Sequence, residues 1–339
     1  MKLVTGAGGF IGSNLVAALE AIGHEIAVCD WFDVPEKMKN LENRRIAERI
    51  SPDGLLEFMQ DRAGEIETVF HMGAISSTIE TNVALITDIN VTLPIQIWLW
   101  CRDHEVPLIY ASSAATYGDG ALGFDDDETV QALQRLQPLN PYGRSKNAFD
   151  IWVAEQVAGR AAVPPQWVGL KFFNVYGPNE YHKGGQMSVV PQVFKQISET
   201  DRARLFQSHN PDYEDGGQLR DFVWVGDCVE VMLWLEAHPT VSGLYNCGTG
   251  QARSFLDLAT TVFHALGKDV VIDYVPTPEA IRDKYQYFTE ANMAKLRAAG
   301  YDSSFTSLED GVGRYVSDYL MVEDAYLCSG GPDGHGILC

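Results

Sequence analysis

Over its first 175 residues the chain alternates short apolar runs with longer segments in which apolar positions recur every three or four residues. Runs at 1–5, 25–30, 67–71, 107–112 and 166–173 have the length and composition of buried strands. Between them, segments such as Phe10 to Ala21 carry helical periodicity. Strands alternating with helices build a parallel sheet covered on both faces, so the pattern predicts an α/β chain with a doubly wound parallel sheet. Beyond residue 175 the pattern loosens. It predicts helices near 188–199 and 227–238, strands at 221–225 and 243–247, and a further strand and a helical end within 270–320. A polar stretch, Gln207 to Gln218, lies among them.

Charge narrows the range of functions. With 46 acidic against 25 basic side chains the formal net charge is −21, which excludes a nonspecific nucleic-acid binder. The densest acidic run, Asp125 to Glu128, reads as a solvated loop. No apolar run approaches a membrane span, and Pro94 to Cys101 reads as a buried helix. Trp98, Trp100, Trp224 and Trp234 sit on apolar patterns and read as core. The first strand begins at Met1, so the pattern contains no secretory leader. The six cysteines (29, 101, 228, 247, 328 and 339) show no Cys-x-x-Cys spacing and read as reduced thiols of a cytoplasmic protein. His71 and His182 lack companions at metal-ligand spacing, so no metal site is expected.

The first strand is followed by Gly6-Ala-Gly-Gly9-Phe10-Ile11-Gly12, and the second ends at Asp30, eighteen positions after Gly12. Glycines on a strand-to-helix turn permit a tight bend, close approach to a pyrophosphate and close packing of helix on sheet; the acid suits a ribose hydroxyl. The helix amino terminus favours phosphate. The sheet is therefore expected to be of the Rossmann type, with residues 1–175 as an NAD(P)-binding domain. Residues 176–322 would form mainly a smaller C-terminal substrate-binding lobe, some of whose strands return to the sheet, and 323–339 a disordered tail. Tyr142 and Lys146 stand four apart, on one face of a helix. There the lysine charge is expected to lower the phenol's pKa, which a base at neutral pH requires. Ser113, at the end of the fourth strand, would orient a reacting hydroxyl toward Tyr142. Arg220 suits a diphosphate through its planar fork, an ion pair with Asp221 or Asp227 being the structural alternative.

Together the Gly6/Gly9/Gly12 turn, His71-Met-Gly-Ala74, Tyr110-Ala-Ser-Ser113, Tyr142/Lys146 and Asn174-Val-Tyr-Gly-Pro178 resemble the extended short-chain dehydrogenase/reductase family, the nucleotide-sugar epimerases and dehydratases. The resemblance covers residues 1 to about 320 and implies Phe10, Ile11, Asp30 and Trp31 at the cofactor, with Met72, Gly73, Ala74, Ile75, Ser76 and Asn90 along its nicotinamide half. Lys37 would meet a 2′-phosphate and so favour NADP over NAD. Asn174, Val175, Gly185, Gln192, Leu205, Phe206, Gln207, Ser208, Arg220 and Tyr285 would line the nucleotide-sugar substrate. Tyr142 and Lys183 would be acid/base groups on opposite faces of the sugar carbon, with Ser113 and Lys146 completing the catalytic set.

Departures from the family pattern fall mainly on the substrate side. Gly185 stands where the pattern has a serine, Gln192 where it has a histidine, and the loop before Arg220 is longer. Trp31 replaces a small polar residue beside the ribose. Ala114 and Ala115 stand where related dehydratases carry an Asp-Glu pair for expelling water, which argues against elimination. The implied activity is epimerisation of a nucleotide-diphosphate sugar by transient oxidation, in a homo-oligomer. A 4-epimerase or reductase, or a noncatalytic NADP-binding regulator, are the alternatives.

Overall fold

A computed structural model describes all residues except 79, 283–284 and 327–339; most of the expected tail lies outside the described residues. Its centre is a sheet of seven strands: β1 (Lys2–Thr5), β2 (Ile26–Cys29), β3 (Glu48–Ile50), β4 (Thr68–His71), β5 (Leu108–Ser113), β6 (Trp167–Phe172) and β10 (Gly243–Cys247). They lie in the order β10-β6-β5-β4-β1-β2-β3, every neighbouring pair parallel. The five strands expected before residue 175 all form. Three residues, Glu-Arg-Ile, make up β3, too few to leave a hydrophobic pattern, and it is held at the edge by pairing with β2.

Every residue of β1, β2, β4 and β6 is buried because helices cover both faces. Leu15, Val16 and Leu19 of the helix Phe10–Ala21 enter one core together with Val231, Met232 and Leu235 of the helix Val225–Ala237. On the other face, Ile97, Trp98 and Cys101 of Leu93–Asp103 pack with Phe149 and Val153 of Pro141–Ala158. Trp98, Trp100 and Trp224 are buried as expected, and half-buried Trp234 packs edge-on to Tyr301 at 5.5 Å.

Two expectations need correction. Residues Val83–Asp103 form one continuous helical run of 21 residues, long and apolar enough to cross a membrane by length and composition. Pro94 to Cys101 is only its second half; a π turn, Asp88–Thr92, joins the two parts across polar residues that hide the continuity in sequence. Ile97, Trp98 and Cys101 nonetheless make it a core helix of this fold. The acidic run is likewise not a solvated loop. Strand β10 is an edge whose amides need acceptors, and Asp126 accepts from the Asn246 N–H (2.9 Å) while Glu128 accepts from the Leu244 N–H (2.7 Å). Asp125 takes the Asn292 amide at 2.7 Å.

Beyond the carboxyl ends of the strands, β9 (Leu219–Trp224) pairs antiparallel with β11 (Ala252–Ser254) and parallel with β7 (Asn174–Tyr176). Strands β8 (Ala203–Phe206) and β12 (Ile272–Val275) form a separate parallel pair. These elements share a core built from Tyr176, Val193, Trp224, Phe263 and Val312. Cys29, Cys101, Cys228 and Cys247 are buried and unpaired. Among the described residues no group of His, Cys, Asp or Glu is arranged to hold a metal.

Candidate active site

The sheet order reverses between β1 and β4, which opens a crevice at their carboxyl ends, the position where open α/β sheets bind ligands. Gly6 turns the chain there with φ +64°, and a Cβ on it would meet the Gly73 backbone at 2.5 Å. A Cβ on Gly12 would lie 2.2 Å from the Gly6 carbonyl oxygen. Only glycine fits either position. Gly9 caps the helix Phe10–Ala21 without a side chain, so its first amides remain available to an anion. The Thr5 hydroxyl accepts from the Gly73 N–H (3.2 Å) and bonds His71 Nδ1 (2.7 Å), drawing Met72, Gly73 and Ala74 against the turn.

Asn90 sits in the π turn, and its amide is engaged inside the protein. Oδ1 accepts from the Ile75 N–H at 2.9 Å; Nδ2 donates to the Ile75 carbonyl (2.9 Å) and to Ser145 Oγ (3.0 Å). It ties the Ile75–Ser76 segment to the helix bearing Tyr142. The buried Asp30 carboxylate accepts from the Gly8 N–H (2.8 Å) and the Trp31 N–H (2.7 Å), and pairs with Lys37. The Trp31 ring is 46% exposed. Turn, open helix end and buried acid together fit a dinucleotide.

Sequence reasoning missed a ring of asparagines around this turn. Asn14 Nδ2 donates to the Pro178 carbonyl (3.0 Å), Asn179 Nδ2 to Ser13 Oγ (3.0 Å), and Asn40 Nδ2 to the Gly8 carbonyl (2.9 Å). Asn40 Oδ1 is buried with no partner in the protein. His182 stands beside Asn40, with its pKa pushed down to about 4 by burial and then by the Lys37 and Lys183 charges. Asn14 in an otherwise apolar helix was the available signal.

Tyr142 and Lys146 lie on the helix Pro141–Ala158, which Asn140 caps through the Gly143 N–H at 2.8 Å. Gly143 lets that helix approach the turn after β5, because a Cβ there would lie 2.6 Å from the Ala115 carbonyl oxygen. Ser113 is thereby brought close enough to the Tyr142 phenol to act on its pKa. Lys146 Nζ donates to the Ala111 carbonyl at 2.8 Å. Burial pushes Lys146 down to about 8, opposed by Asp150. The Tyr142 phenol is raised above its ordinary value, first by burial and further by Asp150, while Ser113 works the other way. Burial is the largest influence on the phenol, and the Lys146 ammonium is held by the Ala111 carbonyl.

Beneath this set lies a fully buried pair. Asp150 accepts from Lys171 Nζ (3.1 Å) and Ser112 Oγ (2.6 Å), and Lys171 also donates to Thr116 Oγ1 (2.6 Å). Thr116 in turn donates to the Ser113 carbonyl at 2.9 Å.

Lys183 lies in the turn Tyr181–Gln186 with Nζ 5.3 Å from the centroid of the Phe10 ring, over the opening of the dinucleotide helix. Burial lowers its pKa and Glu180 opposes this. On the substrate side the Arg220 guanidinium packs over the rings of Phe255 and Tyr285 at 5.6 Å each and donates to the Leu219 and Gln286 carbonyls. The ion-pair alternative does not hold. Asp221 is taken up by Thr249, Gly250 and Ala291, and Asp227 by Thr306.

Phe206 faces Tyr285, ring centroids 6.2 Å apart, and Asn174 Oδ1 accepts from Thr289 at 3.3 Å; Val175 is half-buried beside it. The Leu205 side chain occupies an inward position of β8 and packs in the core that this strand shares with Val193 and Phe263. Gln192 Nε2 is committed to the Met187 (2.8 Å) and Ser188 (3.3 Å) carbonyls. Gly185 is exposed. Gln207 and Ser208 open a loop that is tied internally, Gln207 to Val275 and Ser208 to Asp215 (both 2.8 Å).

A crevice that fits a dinucleotide, with Ser113, Tyr142 and Lys146 near one another, is the arrangement of a nicotinamide-dependent α/β fold. The chain belongs to the NAD dependent epimerase/dehydratase family, whose pattern matches residues 2–248. It is 47% identical to the ADP-L-glycero-D-manno-heptose-6-epimerase of Nitratidesulfovibrio vulgaris over 96% of this chain and 100% of the relative. It is 44% identical to the enzyme of that name from Fusobacterium nucleatum, again over 96% and 100%. Among solved structures, the Helicobacter pylori ADP-L-glycero-D-manno-heptose-6-epimerase superposes with a TM-score of 0.74 at 26% identity, covering 95% of this chain and 96% of that one.

Proposed function

We propose that this chain converts ADP-D-glycero-D-manno-heptose to ADP-L-glycero-D-manno-heptose, a step of lipopolysaccharide core synthesis, by transient oxidation with bound NADP. The observation that supports this reading is the placement of Tyr142 on one helix with Lys146 and near Ser113, with Lys183 over the opening of the dinucleotide helix. Identity to relatives of that name along their whole length supports the substrate.

Bound nicotinamide supplies hydride exchange at the carbinol carbon; the chain handles the protons. Opposite epimers that present the same carbon–hydrogen bond to one nicotinamide face place their hydroxyls on opposite sides. A single base cannot reach both. Tyr142, with Ser113 orienting the hydroxyl, serves one epimer, and Lys183 serves the other. Lys146 holds the Ala111 end of β5 and keeps positive charge near the site. Arg220, clamped between two rings, faces the diphosphate.

For the cofactor, Lys37 supports NADP because it neutralises Asp30, whose charge would repel a 2′-phosphate. A homo-oligomer is supported by exposed Val83 and Leu85 on the start of the 83–103 run and by exposed Val157 on the helix beside it.

The test is transient reduction of bound cofactor by each separate epimer, read at the nicotinamide absorbance. Tyr142→Phe should retain reduction by one epimer and Lys183→Met by the other, with the affected half slowed about 10²–10⁴-fold. Near-normal epimerisation by Lys183→Met would instead favour a single-tyrosine 4-epimerase.

A further inference from the structure

We propose that Glu180 is the positioning residue for Lys183: its buried carboxylate clasps the two ends of the loop that carries the lysine. This rests on the reading of Lys183 as a proton-transfer group.

Glu180 is fully buried (0% exposed) at the start of the loop. Eight residues on, Ser188 returns to it, donating both its backbone N–H and its Oγ (2.6 Å) to the carboxylate. Tyr315, from the helix Leu308–Tyr315, donates at 3.2 Å. Gln192 fastens the same end through the Met187 and Ser188 carbonyls, and Tyr181 OH donates to the Ala325 carbonyl at 2.8 Å. Between these anchors Gln186 Nε2 donates to Ser77 Oγ (2.9 Å) and His182 lies beside Asn40, while the glycines leave open space. Gly184 takes φ +55°, and a Cβ on Gly184 or Gly185 would meet nothing within 4 Å. The clasp fixes the two ends of the segment that carries Lys183 over Phe10.

Hydrogen bonding explains a carboxylate here. Burying a charge is costly unless it is paired and bonded, and both oxygens accept, Oε2 from the Ser188 N–H and Oε1 from Ser188 Oγ and Tyr315, so an amide with one acceptor oxygen would lose part of the clasp. The groups facing this carboxylate are Ser188, Tyr315, the Gly177 N–H (3.5 Å) and, through space, Lys183; Tyr181 adjoins Tyr315. Glu180 is the charged group that raises Lys183 against the lowering caused by burial, and Lys183 in turn steadies ionised Glu180. His182, beside the lysine, is turned toward Asn40, Lys37 and Asp30.

The experiment is Glu180→Gln, which keeps the side chain's shape but removes its charge and one of the two acceptor oxygens that close the clasp. The pH profile of cofactor reduction is measured with each epimer separately, with Lys183→Met and Tyr142→Phe alongside. The half-reaction lost in Lys183→Met should slow about 10–100-fold, less than loss of the base itself, and its acid limb should move to lower pH. The other half should keep its rate and profile, and Glu180→Asp should restore the limb. Unchanged profiles in both halves, or equal slowing of both, would overturn the proposal. If Glu180→Gln does not fold, Ser188→Ala loosens the clasp but keeps the charge; it should slow the same half without moving the limb, and no effect overturns the clasp. If Lys183→Met spares both halves, the reading of Lys183 falls and this proposal with it. If Lys183→Met loses one half while Glu180→Gln loses nothing, only this proposal falls.

Discussion

Replacing Lys171 by methionine tests the buried pair beneath the catalytic set. Both side chains are fully buried, 3.1 Å apart. At an effective dielectric of about 20 that separation is worth about 5 kcal/mol of attraction, while desolvation costs several kcal/mol per ion. The two nearly cancel, so the intact pair adds little beyond what apolar side chains of similar volume would add. Removing one member leaves the cost without the attraction. Lys171→Met retains the packing on the Tyr117 ring (4.8 Å in the wild type) but leaves Asp150 with only Ser112 and, at 3.4 Å, Tyr110 as donors. The expected loss is about 3–5 kcal/mol. Asp150→Leu with Lys171→Met should recover most of that loss, giving a coupling energy of roughly 2 kcal/mol or more. Urea unfolding of wild type, both single variants and the double variant, followed by tryptophan fluorescence, completes the cycle. A loss below about 1 kcal/mol for Lys171→Met, within the range of an exposed pair, would refute the argument.

Lys37→Ala should weaken NADP more than NAD in fluorescence titrations, and equal losses would show that the lysine serves only Asp30. Lys146→Met should abolish turnover yet stabilise the protein at neutral pH. The Lys146 pKa is depressed to about 8 from 10.5, so in wild type the stability linked to this group is complete above the unfolded value and lost as pH falls through about 8. Methionine removes that loss, a gain of about 1–3 kcal/mol at pH 7 after allowing for the lost Ala111 bond. The gain should fade between pH 8 and 10.5; a gain constant with pH would mean that charge burial is not its source.

The seven-strand core was largely legible because its information is local. Apolar runs of strand length and the glycines at 6, 9 and 12 act within one turn or one strand, and Tyr142 and Lys146 share a helix face by spacing alone. Strand β3 escaped because three residues at an edge owe their conformation to the neighbouring strand. The sequence by itself determined the fold class, the dinucleotide turn and the Ser113–Tyr142–Lys146 set. Only tertiary structure decided that Leu205 is core, that Asn90 ties Ile75 to the helix bearing Tyr142, that Asp126 and Glu128 satisfy an edge strand, and that Glu180 and Ser188 close on each other. Those outcomes depend on which buried polar groups meet across the chain, and the need of each for a partner is settled only when distant segments pack.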